Sequence, residues 1–205
     1  MHKGVLVAFE GIDGTGKSTQ LQLLADYLQE NGCPVLVTRE PTEGAFGQKI
    51  RRLYLDRESS TPEEELELFV QDRKEHVRDC LLPALQSGTI VLTDRYYYST
   101  AAYQGAVGMD IKEIFARNSF APRPDIVILL TMDPEISVSR IEEGRNETRN
   151  DFEQLDQLKQ VAENFASFTD GCICRIDANQ LVEKVQKDIQ RAVTKALATV
   201  NYSCI

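Results

Sequence analysis

Residues 9–20 read Phe-Glu-Gly-Ile-Asp-Gly-Thr-Gly-Lys-Ser-Thr-Gln and contain the spacing Gly11-x4-Gly16-Lys17-Ser18 directly after the apolar run 5–9. Glycines let successive backbone N–H groups curl round a phosphate without interference from a Cβ, and the helix that follows points its positive end at the same place. Lys17 is expected to reach the β- and γ-phosphates, and the Ser18 hydroxyl to sit on Mg²⁺. Gly11, Ile12, Asp13, Gly14, Thr15, Gly16, Lys17, Ser18 and Thr19 are thus the expected nucleoside triphosphate-binding loop. The competing reading, a glycine-rich turn before an ordinary helix, leaves the order of strand, loop and helix unexplained.

Outward from the loop, short apolar runs rich in β-branched residues recur at 5–9, 34–38, 89–93, 126–131 and 172–176, with helical patterns between them. Strands buried on both faces and separated by helices imply a parallel sheet with right-handed crossovers. The expected fold is therefore a three-layer α/β/α phosphate-loop NTPase fold with a five-stranded parallel sheet, forming one domain over 1–205. Its ligands would bind at the carboxyl ends of the strands. The first helix, 17–31, should stop at Gly32 and present Leu21, Leu24, Ala25 and Leu28 on one face. A long helix over 62–85 has Thr61 as its cap, and Glu63, Glu64 and Glu65 match its dipole. Residues 142–153 are polar and lie between two helical patterns, as a mobile lid would.

Composition narrows the classes. A chain of 205 residues with 42% apolar content is long enough for one well-buried core. Its 32 acidic against 23 basic residues give a net charge of −9, without basic clusters. Binding through a nucleic-acid backbone or an anionic membrane is therefore disfavoured. The five cysteines are odd in number and none forms a Cys-x-x-Cys pair, which fits reduced thiols. Cys172-x-Cys174 alternates across a predicted strand, as buried small hydrophobes would. Neither a signal peptide nor an apolar stretch of membrane-spanning length is seen, so a soluble, cytoplasmic protein is expected.

The loop alone serves kinases, GTPases and ATPases, so other segments must choose. The Asn-Lys-x-Asp motif that reads guanine is missing. Thr93-Asp94-Arg95-Tyr96 closes the third strand and places a carboxylate and a guanidinium beside the first. Asp94 could hold the hydrated Mg²⁺, and Arg95 could grip a second phosphate with its planar fork. Without the loop, the same pair would read as a structural salt bridge.

At this point the chain resembles the thymidylate kinase family, nucleoside monophosphate kinases that phosphorylate dTMP with ATP. The resemblance rests on residues 9–20, with Asp13 inside the loop, on Thr38-Arg39-Glu40-Pro41, on residues 68–76 (Leu-Phe-Val-Gln-Asp-Arg-Lys-Glu-His), and on residues 94–105 (Asp-Arg-Tyr-Tyr-Tyr-Ser-Thr-Ala-Ala-Tyr-Gln-Gly). It implies that Phe69 stacks on thymine and that Arg73 hydrogen-bonds its O4; as i and i+4 on a helix they can share one side. It further implies that Thr100 contacts the base edge and that Tyr103 crowds the sugar where a 2′-hydroxyl would lie. Asp13 would accept from the 3′-hydroxyl or a metal-bound water, while Arg95 and Arg39 hold the acceptor phosphate. Glu40 and Gln104 join the substrate-binding set, His76 is read as structural, and the proline after Glu40 is usually cis. Adenine would rest near residues 177–180.

Two segments depart from the family pattern. Thr42-Glu43-Gly44 replaces a common Gly-Gly-Thr, and Asn150-Asp151-Phe152-Glu153 replaces Asp-Arg-x-Glu. The family carries its catalytic basic residue either inside the loop or in the lid; with none among Ile12, Asp13, Gly14 and Thr15, the resemblance implies that Arg145 or Arg149 in the lid supplies it. The family commonly forms homodimers. Two alternatives keep the loop: a kinase for another nucleotide or a deoxynucleoside, and a regulatory protein that only holds ATP.

Overall fold

Five strands, β1 (Val5–Glu10), β2 (Val35–Arg39), β3 (Ile90–Asp94), β4 (Ile126–Thr131) and β5 (Ile173–Asp177), form one parallel sheet in the order β2-β3-β1-β4-β5. The computed structural model describes residues 4–54, 60–144 and 155–202. All five strands start and end within one residue of the apolar runs; β1, β3 and β4 are buried on both faces, as continuous hydrophobicity implies, whereas the edge strands β2 and β5 are only partly covered.

Side-chain alternation along β1 divides the core in two. Leu6 and Ala8 face one cluster with Val91, Val127 and Leu129, whereas Val5, Val7 and Phe9 face another with Ile90, Leu92, Ile128 and Leu130. Helices α1 (Lys17–Glu30) and α9 (Val182–Thr199) cover the second face. Leu21, Leu24, Ala25 and Leu28 are all buried there, the stripe the 3.6-residue period called for. Helices α3 (Pro62–His76), α5 (Tyr97–Ala106) and α8 (Leu155–Ser167) supply Leu66, Val70, Ala101, Leu158 and Val161 to the first face. The shorter helices are α2 (Ala45–Leu53), α4 (Leu82–Gln86), α6 (Ile111–Arg117) and α7 (Pro134–Gly144).

The long helix expected over 62–85 is interrupted. A π-helical turn, Val77–Leu81, joins α3 to α4. Pro83 explains it, since proline has no N–H and its ring clashes with the carbonyl four residues back, which the wider turn relieves. At its start the acidic run does more than match the dipole. Thr61 Oγ1 accepts from Glu64 N at 3.2 Å and Thr61 N donates to the Glu64 carboxylate at 2.8 Å, a reciprocal capping box.

The expected lid, 142–153, overlaps α7 for its first three residues, and 145–153 lie outside the described residues. Cys172 and Cys174 are free and pack against opposite core clusters, as expected. Cys33 is disulfide-bonded, which corrects the expectation of five reduced thiols: an odd count does not say which sulfurs lie close in space. Among the described residues, no helix is long and apolar enough to cross a membrane.

Candidate active site

Strand β1 runs straight into the loop, and the backbone there requires glycine. Gly11 has φ 134°, and a Cβ on it would lie 2.3 Å from the Leu130 carbonyl oxygen on β4. Gly16, at φ 85°, is the N-cap of α1 and offers no side chain to its first-turn N–H groups. Those donors and the positive helix end are left for an anion. Lys17 Nζ donates to the Ile12 carbonyl at 2.8 Å, folded over the loop it serves. Burial and neighbouring Arg95 lower its pKa to about 8, against the opposing pull of Asp13 and Asp94.

At the carboxyl ends of β1, β2 and β3 a cleft of about 550 Å³ opens. The loop contributes Asp13, Lys17 and Ser18 to its wall, the end of β2 contributes Arg39 and Glu40, and the end of β3 contributes Asp94 and Arg95. Ser18 Oγ donates to Asp94 Oδ2 at 2.5 Å, so the hydroxyl and carboxylate singled out for Mg²⁺ meet. Arg95 adopts φ 71°, a left-handed conformation that costs a non-glycine residue of order 1–3 kcal/mol. Its N–H donates to the Phe9 carbonyl at 2.9 Å, and its guanidinium donates to Asp13 at 2.6 Å and to Ser99 Oγ at 2.9 Å. Tyr103 donates to the other Asp13 oxygen at 2.9 Å, with the Arg95 guanidinium over its ring. Burial, and then Asp13, push the Tyr103 phenol well above its ordinary range, so it is a donor throughout.

Glu10, quoted in the motif without a role, holds this corner from behind. It is fully buried and accepts from Tyr96 N at 2.9 Å, from Ser99 N at 3.2 Å and from Ser99 Oγ. Since Tyr96 caps α5 without a side-chain bond, Glu10 caps that helix from another strand. Burial raises its pKa to about 7, against Ser99 and Arg95, which favour the anion. A carboxylate ending an otherwise apolar strand was the sequence signal.

Beyond the cis Glu40–Pro41 peptide, Thr42 is tied to α3: its N–H and Oγ1 donate to Asp72 at 2.9 and 2.6 Å. Glu43 ion-pairs with Arg39 and, at 2.5 Å, with Arg51, which lines the cleft with Tyr54 from the end of α2. Neither Arg51 nor Tyr54 stands out in the sequence, because only the packing of α2 against α3 turns them to the cleft. The altered Thr42-Glu43-Gly44 segment thus gathers two arginines at the cleft.

The residues expected on the base side are set deeper. Arg73 is buried, not a solvated charge: it donates to Glu40 through Nε at 2.9 Å and Nη2 at 2.6 Å, to Thr100 Oγ1 at 2.9 Å and to Asn118 Oδ1. Glu40 links this group to the cleft it lines. Asn118 was missed, and nothing in its local sequence marks it. Phe69 is half-buried one turn before Arg73 and lies outside the cleft wall. Gln104 is buried against Glu65, with Nε2 to Oε2 at 3.1 Å, and its Oε1 has no partner among the described residues. Arg145 and Arg149 lie outside the described residues.

A phosphate loop at the end of the central strand, facing a second group of cations across one cleft, defines a phosphate-loop nucleotide kinase. The thymidylate kinase family model matches residues 9–189. A thymidylate kinase from Desulfotalea psychrophila is 50% identical over 194 residues, covering 95% of this chain and 96% of that protein. A probable thymidylate kinase from Archaeoglobus fulgidus is 41% identical over 194 residues, with 94% and 96% covered. A thymidylate kinase from Xanthomonas euvesicatoria is 40% identical over 195 residues, with 95% and 85% covered. The chain belongs to the thymidylate kinase family.

Proposed function

We propose that this chain transfers the γ-phosphate of ATP to dTMP, giving dTDP and ADP. The observation that carries the reading is the single cleft joining Lys17 and Ser18 on the loop to Arg39, Arg51 and Arg95 opposite, with Glu40 leading to Arg73 and Thr100. Phosphoryl transfer asks a protein mainly for positioning and positive charge around an in-line transition state, with no covalent enzyme intermediate. Gly11 to Thr19 hold the donor, and Lys17 grips its β- and γ-phosphates. Arg95, aimed by its backbone and by Asp13, holds the acceptor phosphate together with Arg39. Phe69, Arg73 and Thr100 hold the base, with Gln104 supporting α5 against α3. Tyr103, fixed on Asp13, crowds the sugar at its 2′ side.

Ser18 and Asp94 fit Mg²⁺, since a hydroxyl and a carboxylate at the loop are hard oxygen donors and this ion takes few protein ligands beside phosphate and water. When bound it neutralises charge on the β- and γ-oxygens. Arg145 or Arg149 is assigned from the sequence to the transferred group; replacing the acting arginine with alanine is expected to cost about 10³ in rate. A cytoplasmic location and a homodimeric state accompany this reading, the latter checked by light scattering.

The decisive experiment follows ADP formation with ATP and Mg²⁺ against dTMP, dUMP, UMP, CMP, AMP and thymidine. A strong preference for dTMP supports the acceptor pocket. Faster turnover of another acceptor keeps a kinase but overturns the roles of Phe69, Arg73 and Tyr103. ATP binding without acceptor-dependent turnover points instead to a protein that only holds ATP.

A further inference from the structure

A guanidinium has five N–H groups in one plane, and its direction is set by what they meet. Among the described residues, four of those of Arg73 are engaged: Nε and one Nη2 hydrogen on Glu40 Oε2, the other Nη2 hydrogen on Thr100, and one Nη1 hydrogen on Asn118. The fifth, on Nη1, is the one left to meet a base carbonyl. Its aim follows from the plane of Glu40, and that plane is fixed at the other carboxylate oxygen. Glu40 Oε1 lies 2.9 Å from His76 Nδ1, and His76 Nε2 lies 2.8 Å from Thr38 Oγ1. The imidazole therefore bridges β2 to the carboxylate, and both it and Glu40 are about 5% exposed.

We propose that His76 is a positioning residue for acceptor recognition, holding one oxygen of Glu40 so that the other aligns Arg73 on the nucleobase. This rests on the reading that Arg73 meets the acceptor base. A purely structural histidine would fill space or bond wherever it could. Here both ring nitrogens are committed to polar partners.

The groups facing His76 are Glu40 from the end of β2, Cys80 from the π-helical turn and the neutral Thr38. Arg73 stands behind Glu40, and the Tyr96 ring from α5 lies 5.5 Å from the Arg73 guanidinium. Burial works against the imidazolium, but neighbouring Cys80 and Glu40 outweigh it and raise the pKa to about 9. Around neutrality both ring nitrogens thus donate, Nδ1 to Glu40 and Nε2 to Thr38.

Two substitutions separate the two bonds. In His76→Asn the side-chain amide can replace Nδ1 and keep the bond to Glu40; in His76→Gln it replaces Nε2 and keeps only the bond to Thr38. Loss of a hydrogen bond to a charged group predicts a rise of about tenfold in KM for dTMP in His76→Gln, with KM for ATP unmoved and His76→Asn within about threefold of the parent. Equal KM values for the two variants, or KM for ATP and dTMP rising together, would overturn the proposal. Thr38→Val decides the matter if either variant fails to fold, since it removes the anchor of Nε2 and leaves Glu40 and Arg73 in place: an unchanged KM for dTMP in that variant also overturns the proposal. Arg73→Lys separates the two layers of argument. If it leaves KM for dTMP unchanged, the base-side reading itself fails; if it raises KM while the two His76 variants match, only the role of His76 falls.

Discussion

Arg73, Glu40 and His76 form a buried charge cluster whose members depend on one another, so deleting one leaves the others stranded. Glu40→Ala should destabilise the fold by about 3–5 kcal/mol, as expected for a buried pair broken on one side, and urea unfolding at pH 7 measures it. The pH dependence has two opposite edges. Burial resists ionisation of Glu40, but Arg73 and His76 overcome it and lower its pKa. Its stabilising effect is therefore present above 4.5 and is lost as pH falls through the depressed value. The pKa of His76 is raised from 6.5 to about 9, so its effect is full below 6.5 and is lost as pH rises through 9. Stability should thus decline by on the order of 3 kcal/mol between pH 6.5 and 9, and His76→Gln should flatten that limb. An unchanged limb in the variant would place the titrating group elsewhere. None of this cluster was legible in the sequence as a cluster. The motif named Arg73, but its partners Glu40 and Asn118 stand 33 and 45 positions away, and only folding brings them together.

At the scale of elements the sequence was far more explicit, because strand and helix periods are local. The parallel strands, the buried stripe of α1 and the phosphate loop could all be read directly. The interruption of the long helix could not, since Pro83 fits the first turn of a new helix as well as a wider turn in an old one. Capping divides the same way. Thr61 and Glu64 are three residues apart and legible, whereas Glu10 caps α5 across 86 positions to Tyr96. Their removal should differ accordingly. Thr61→Ala loses an exposed cap, costing about 1 kcal/mol with turnover unaffected. Glu10→Ala strands the Tyr96 N–H and the Ser99 hydroxyl hydrogen in the interior, while the Ser99 N–H keeps the Tyr96 carbonyl at 3.1 Å, costing about 2–4 kcal/mol. It should also lower kcat, because Arg95 directly precedes the helix that Glu10 fixes. Unfolding midpoints beside steady-state rates check both, and a Glu10→Ala enzyme with normal kcat would confine Glu10 to stability.

The molecule as a whole is acidic, with a net charge of −9, yet both proposed substrates are polyanions. Its cleft wall inverts that sign locally: Lys17, Arg39, Arg51 and Arg95 line it against three carboxylates, Asp13, Glu40 and Asp94, while Glu43 beside it pairs with two of the arginines. Two fields of opposite sense therefore act at different ranges. At about 0.01 M salt the screening length is about 30 Å, so the negative body opposes approach; at about 0.1 M it is about 10 Å, and mainly the cleft is felt. Near 0.5 M even the cleft charges are partly screened and the grip on phosphate weakens. The expected outcome is a maximum in kcat/KM for dTMP near 0.1 M salt, with a fall of severalfold toward 0.5 M carried by KM. Steady-state rates across that range, with ATP and Mg²⁺ saturating, measure it. A steady fall from the lowest salt would mean that the cleft's field reaches past the acidic surface at every distance that matters. A steady rise would mean that the net charge governs approach throughout, and that the cleft arginines act only once the nucleotide has arrived.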